Sequence, residues 1–146
     1  MRIAIKYGLL ITLGIIAWVV IAHMIVPNPC SSLHKIGPLL FFNVLEIVGI
    51  CFGIRESKRG NGQLQFKAAL KTGVRIAFVY GVASCVFFLV FLSVLGRGAM
   101  CPDPRTASLS SWQVAGLGFA AQFLGAVFLG LIYSTVISFI LVRRRA

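Results

Sequence analysis

The stretch that decides the fold is residues 7–26, which read YGLLITLGIIAWVVIAHMIV without a charged side chain. About 20 apolar residues suffice for an α-helix to cross a hydrocarbon core of about 30 Å. Arg2 and Lys6 precede the stretch as they would precede a secretory signal. Its apolar part is longer than the core of a signal, and no small-residue cleavage site follows Val26. We therefore interpret it as a retained membrane helix.

Three further apolar stretches repeat this pattern along the chain. They run from about Gly37 to Ile54, from Gly73 to Leu95 and from Trp112 to Val142. Backbone polar groups find no water in lipid, so helices are the form in which such segments span a membrane. Gly37-Pro38 predicts the first turn of the second helix, Ser110 or Ser111 the cap of the fourth, and Gly60-Asn61-Gly62 a turn. The sequence predicts one all-α domain over residues 1–146, an integral membrane four-helix bundle with short loops.

The composition excludes several classes of protein. Of the 146 residues, 59% are hydrophobic and 12% charged, whereas a soluble domain carries about 25% charged residues. An ordinary soluble enzyme and a disordered chain are both excluded. The sequence contains no metal-ligand cluster, nucleotide loop or nucleophile elbow. We expect a non-enzymatic protein without a cofactor.

The distribution of basic residues predicts the orientation. If the N-terminus is cytoplasmic, the outer side holds only Lys35, Arg97 and Arg105. The inner side then holds the other eleven of the 14 basic residues, which are Arg2, Lys6, Arg55, Lys58, Arg59, Lys67, Lys71, Arg75, Arg143, Arg144 and Arg145. Positive charge accumulates on the cytoplasmic side of membrane proteins, so we expect both termini inside. The net charge of +11 therefore reflects topology and lipid, and nucleic-acid binding is not expected.

Part of the predicted inner loop has a helical pattern of charge. Lys67, Lys71 and Arg75 recur at every fourth position, beside an apolar stripe of Phe66 and Leu70. This pattern predicts an interfacial helical turn whose charges rest on anionic lipid headgroups.

Glu46 is the one acidic residue inside an apolar stretch. A carboxyl group in hydrocarbon is costly, which makes it a functional candidate by default. A protonatable carboxylate at the middle of a membrane would suit a proton-coupled exporter. The alternative is a structural group hydrogen-bonded to Asn43, to a neighbouring helix or to a partner subunit.

Cysteine and histidine residues supply the remaining candidates for chemistry. Cys30 and Cys101 fall in the two predicted outer loops, where an oxidising compartment would favour a disulfide between them. Cys51 and Cys85 lie within spans and are expected to be packing residues. His23, near the outer end of the first span, could ligate a haem or pigment, although a hydrogen-bonded histidine at a helix interface is the favoured interpretation.

Small residues recur at every fourth position on three of the predicted helices. Such ridges allow helices to approach closely, either within one chain or between subunits. The residues are Gly49 and Gly53 on the second helix, Gly73, Ala77 and Gly81 on the third, and Ala126, Gly130, Ser134 and Ser138 on the fourth.

The region around the second and third spans has a recognisable signature. It consists of Phe52-Gly53-Ile54-Arg55, then Gly62, Phe66-Lys67-Ala68-Ala69 and Lys71-Thr72-Gly73. With these residues the chain resembles the bacterial membrane family named domain of unknown function 4199. Lys6-Tyr7-Gly8 and the basic tail 143–145 also fit that pattern. The resemblance implies four spans and a bacterial inner membrane, and it implies no activity.

These observations leave three functions open. The first is a structural or accessory subunit of a larger membrane assembly, packed against other membrane subunits or itself. The second is a small proton-coupled transporter that uses Glu46, and the third is a haem- or pigment-binding subunit that uses His23.

Overall fold

The protein forms four helices whose lengths match a membrane. The computed structural model describes residues 2–26, 28, 30–61, 65–95 and 108–143. In chain order the helices are α1 (Arg2–Ile25), α2 (Ser32–Asn61), α3 (Phe66–Leu95) and α4 (Ser111–Arg143). All four are long and apolar enough to span a membrane, and the described residues include no strand. The predicted all-α, four-helix membrane fold is confirmed.

Two of the predicted helix boundaries are wrong. Pro38 was expected in the first turn of the second helix, but α2 begins at Ser32 and contains Pro38 in its interior. At this position proline removes the backbone hydrogen bond to the carbonyl of His34, and its ring presses on that carbonyl. Gly60 and Asn61 remain helical where a turn was expected, and Gly62 lies outside the described residues.

The start of α4 is closed by a reciprocal cap. The Ser110 Oγ accepts a hydrogen bond from the backbone N–H of Gln113 at 3.3 Å. The Gln113 Oε1 in turn accepts one from the backbone N–H of Ser110 at 2.8 Å. This capping box satisfies two N–H groups at the helix start, so that α4 begins directly after Ser110.

Successive helices run in opposite directions, so each end of the bundle holds one end of every helix. Lys6, near the start of α1, contacts Glu56, near the end of α2, and Ser57 lies 3.4 Å from Thr72 of α3. We call this end, which holds the start of α1 and the end of α4, the terminal end. The opposite end, where α1 connects to α2 and α3 to α4, is the loop end.

α2 and α3 form the centre of the bundle. α1 packs on α2 and α3 from one side, and α4 packs on α3 and, less extensively, on α2 from the other. The buried apolar core consists of Ala4, Ile11, Ile15, Ile50, Ile54, Ala69, Ile76, Tyr80 and Ala126. The outer faces carry large apolar side chains such as Leu13, Leu40 and Phe128, as lipid-facing helices do.

Candidate functional site

Glu46 lies at the middle of α2 and is buried against α4. Its side chain is 2% exposed, and its Oε1 atom has no hydrogen-bond partner among the described residues. A Cβ placed on Gly130 would lie 2.8 Å from this oxygen, so the carboxyl group rests on the bare backbone of α4. A buried carboxyl group without a partner is costly in a membrane, which makes Glu46 the centre of the candidate site.

A cavity of about 130 Å³ opens beside Glu46, between α2 and α4. Its polar lining comes from all three neighbouring helices, with Asn43 and Glu46 on α2, Tyr80 on α3 and Gln122 on α4. The rest of its wall is apolar and is formed by Pro38, Leu39, Phe42, Ala121, Gly125, Ala126 and Leu129. The cavity therefore extends from Glu46 toward the loop end of the bundle.

Both polar atoms of the Asn43 side-chain amide already take part in hydrogen bonds. Its Oδ1 accepts a hydrogen bond of 2.5 Å from the Tyr133 hydroxyl of α4, and its Nδ2 donates to the carbonyl of Leu39. The hydrogen bond between Asn43 and Glu46 that the sequence left open is therefore not formed. Asn43 instead ties α2 to α4 and leaves the Glu46 carboxyl group facing the cavity.

Close contacts between small residues bring the walls of this site together. Gly130 contacts Ala77 of α3, and Gly73 contacts Ser134, so α3 and α4 approach backbone to backbone. The predicted ridges all lie at contacts within the chain: Gly49 meets Ile11, Gly53 meets Tyr7 and Ile76, Gly81 meets Phe123 and Ala126, and Ser138 is buried.

A second cavity, of about 340 Å³, lies between α1 and α3 at the loop end. His23 is its one polar residue, and its ring meets that of His34 edge to face, with 6.4 Å between the ring centroids. The His34 Nδ1 atom is 2.8 Å from the Ser31 hydroxyl. The described residues contain no group of three or more metal-ligating side chains. Haem or pigment binding by His23 stays a prediction.

The cysteine of the first predicted outer loop is oxidised, and the two cysteines within the predicted spans are reduced. Cys30 takes part in a disulfide, whereas Cys51 and Cys85 are free thiols. Cys85 is buried in α3, with its Sγ 3.7 Å from the carbonyl of Phe119. Cys101 lies outside the described residues, so its pairing with Cys30 stays a prediction.

The terminal end carries charged groups on the surface. The Lys6 Nζ lies 2.8 Å from a Glu56 carboxylate oxygen, which also accepts a 2.6 Å hydrogen bond from the Tyr7 hydroxyl. Lys67, Lys71 and Arg75 are all exposed on α3. They belong to a continuous helix that begins at Phe66, which agrees with the helical pattern read from their spacing.

One family model matches this chain. Residues 6–101 match the family described as "Protein of unknown function (DUF4199)". The chain belongs to this family. Neither a curated protein nor a solved structure matches it. The DUF4199 match contains Glu46 and Tyr80 but ends before α4, so Gln122 and Gly130 of the site and the basic tail fall beyond it.

Sequence reasoning found Glu46 in this DUF4199 member but missed the side chains that share its cavity. Gln122 is the one amide side chain in α4 beyond its first turn, which holds the capping residue Gln113, and that isolation was a usable signal. Tyr80 and Tyr133 gave no such signal, because tyrosine is common in membrane helices. Glu56 was missed because it follows the apolar part of α2 among basic residues.

Proposed function

We propose that this chain is a small, non-enzymatic, proton-coupled membrane transporter in which Glu46 takes up and releases the proton. The observation that carries this proposal is the buried side chain of Glu46 at the wall of a partly polar cavity, with no hydrogen-bond partner for its Oε1 atom among the described residues. A group used only for packing would be expected to have a hydrogen-bond partner.

The position of the carboxyl group supports exchange between a proton and a substrate. The Glu46 Oε1 rests on the backbone of Gly130, and holding a charged carboxylate in such a place without a partner is costly. A ligand in the cavity that donates hydrogen bonds would stabilise the carboxylate instead. Binding of the ligand and loss of the proton are then linked, as proton-coupled transport requires.

Membrane vesicles turned inside out can test this transport. Vesicles that contain the chain are first acidified inside, and compounds are added while a pH-sensitive dye reports proton exit. The panel consists of small cations, anions and neutral compounds. We expect at least one compound to release protons from vesicles with the native chain, and none to do so with the Glu46→Gln variant. Equal proton release from both vesicle preparations, or from neither, would contradict the proposal.

A second candidate function, an accessory subunit of a larger membrane assembly, rests on a different observation. Gly116, Gly118 and Gly125 of α4 have no described atom within 4 Å of the position that a Cβ would take. Small residues on a helix face allow a helix of another chain to approach closely. Gly116 lies on the side of α4 opposite the cavity-lining Gly125, since nine residues make two and a half helical turns. The open position at Gly116 supports a contact with another membrane subunit or with a second copy.

The native mass of the protein separates the two candidates. If the chain is an accessory subunit, extraction from its own membrane in mild detergent yields a large complex with other defined chains, and Glu46→Gln leaves the activity of that complex intact. A lone monomer or small homo-oligomer would count against the accessory role and support the transporter.

We further propose a bacterial inner membrane with both termini in the cytoplasm. The support is the concentration of basic residues at the terminal end, where Lys67, Lys71 and Arg75 would contact anionic headgroups.

A further inference from the structure

We infer that the Glu46 cavity binds a small organic cation with N–H donors, of the amine or guanidine class, in exchange for the Glu46 proton. The inference rests on the proposed transport and names its substrate class. Three independent properties of the cavity support it, which are its charge, its free hydrogen-bonding groups and its volume.

The charge of the lining selects a cation. Among the described residues, Glu46 is the one carboxyl group that lines the cavity, and the lining includes no lysine, arginine or histidine. An anion in this cavity would meet a second negative group without compensation, whereas a cation would neutralise the carboxylate. The aromatic side chains of Phe42 and Tyr80, which also line the cavity, favour a positive charge near their rings.

The hydrogen-bonding groups select a cation that carries N–H donors. Glu46 lines the cavity, and its Oε1 is a buried acceptor with no hydrogen-bond partner among the described residues. The Asn43 amide next to it is already bonded to Tyr133 and Leu39. The unmet need at this point of the site is therefore a donor. An ammonium or guanidinium group supplies N–H donors, and a quaternary ammonium group has none.

The volume limits the size of the cation. The cavity holds about 130 Å³, somewhat less than the cavity of about 150 Å³ that accommodates benzene in an engineered protein core. A cation of roughly six non-hydrogen atoms or fewer therefore fits.

The exchange conserves charge and atoms. The protonated Glu46 carboxyl group releases its proton to water as the cation enters, and the cation pairs with the resulting carboxylate. No covalent bond to the ligand forms or breaks, and one proton leaves for each cation bound.

Calorimetry on the full chain in detergent micelles tests the inference with matched ligands. Butylammonium is compared with tetramethylammonium, which has the same charge and number of non-hydrogen atoms but no N–H group. Butanol serves as the neutral counterpart of butylammonium. Repeating the titration in buffers with different ionisation enthalpies counts the protons released.

We expect butylammonium to bind at least about tenfold more tightly than either control ligand, a difference typical of a charge-assisted hydrogen bond. We expect its binding to release about one proton. Glu46→Gln should abolish both effects, and Gln122→Leu should weaken the binding, while Gly116→Ala, on the side of α4 opposite the cavity-lining Gly125, should bind as the native chain does.

The outcomes separate this inference from the proposed transport. Equal binding of butylammonium and tetramethylammonium, or binding that survives Glu46→Gln, would overturn the inference. The inference would also be overturned if only anions or neutral compounds released protons from the vesicles, although the proposed transport would then stand. Butylammonium binding with proton release but without proton exit from vesicles would support the inference and overturn the transport function.

Discussion

At the scale of single residues, the lack of a side chain at Gly130 is what allows α4 to pack closely on α2 and α3. The Cβ of an alanine there would press on the Cβ of Ala77 and lie 2.8 Å from the Glu46 Oε1. Both contacts are closer than packed atoms tolerate, so α4 would have to shift. We predict that Gly130→Ala lowers the free energy of unfolding in micelles by about 1–3 kcal/mol, as overpacking does.

The same helix offers matched controls for this prediction. Gly116 and Gly118 have no atom of the described residues within 4 Å of their Cβ positions, so Gly116→Ala and Gly118→Ala should not lower stability. Alanine forms helices better than glycine, so a loss of stability as large in Gly118→Ala as in Gly130→Ala would show that the contact with Glu46 and Ala77 is not the cause.

At the scale of the helices, α2 and α4 are joined by few contacts, and one of them is a hydrogen bond. The Tyr133 hydroxyl donates to the Asn43 Oδ1 over 2.5 Å. We predict that Tyr133→Phe costs about 1 kcal/mol of stability, the usual range for a hydrogen bond between membrane helices. A double-mutant cycle with Asn43→Leu measures the coupling. A coupling energy near zero would mean that this bond does not hold α4 on α2.

The beginning of α3 carries Lys67, Lys71 and Arg75 on its exposed surface. We predict that these side chains hold anionic headgroups, since each basic residue near such a surface contributes about 1 kcal/mol of attraction. Native mass spectrometry should detect fewer bound phosphatidylglycerol molecules when all three are changed to glutamine. The number of bound phosphatidylcholine molecules is the control and should not change. An equal loss of both lipids would contradict a charge-specific contact.

At the scale of the whole molecule, the shared terminal end makes the orientation testable. We predict that green fluorescent protein fused after Ala146 fluoresces, because it folds in the cytoplasm. Alkaline phosphatase fused after Ala107, between α3 and α4 in the sequence, should be active, because it requires an oxidising compartment. A fluorescent fusion after Ala107 together with an active phosphatase after Ala146 would reverse the orientation.

The predicted disulfide would link the connection between α1 and α2 to the connection between α3 and α4. Cys51 and Cys85 are free, so an alkylating reagent should label both in the unfolded, unreduced chain. We predict that Cys30 and Cys101 are labelled only after reduction, as mass analysis of the peptides would show. Labelling of all four cysteines without reduction would exclude the bond.

Hydropathy was sufficient to predict the four helices, because the cost of exposing backbone groups to lipid leaves few alternatives. The start of α2 was predicted wrongly, because a proline such as Pro38 is typical of a first helical turn but the helix begins at Ser32. Hydropathy also identified Glu46, because a carboxyl group stands out in an apolar stretch. The cavity could not be predicted, because the meeting of Gln122 and Tyr80 with Glu46 depends on how closely α4 packs at Gly130.

The contact between Glu46 and Gly130 also bears on how the chain is made. Synthesis proceeds from the N-terminus, so α2 leaves the ribosome well before α4. Until Gly130 has been synthesised and α4 has docked, the carboxyl group of Glu46 lacks the helix that later covers it. A nascent chain arrested before α4 would hold this group next to lipid or next to the insertion machinery. Insertion of α4 is thus the step that completes the burial of Glu46 in the finished protein.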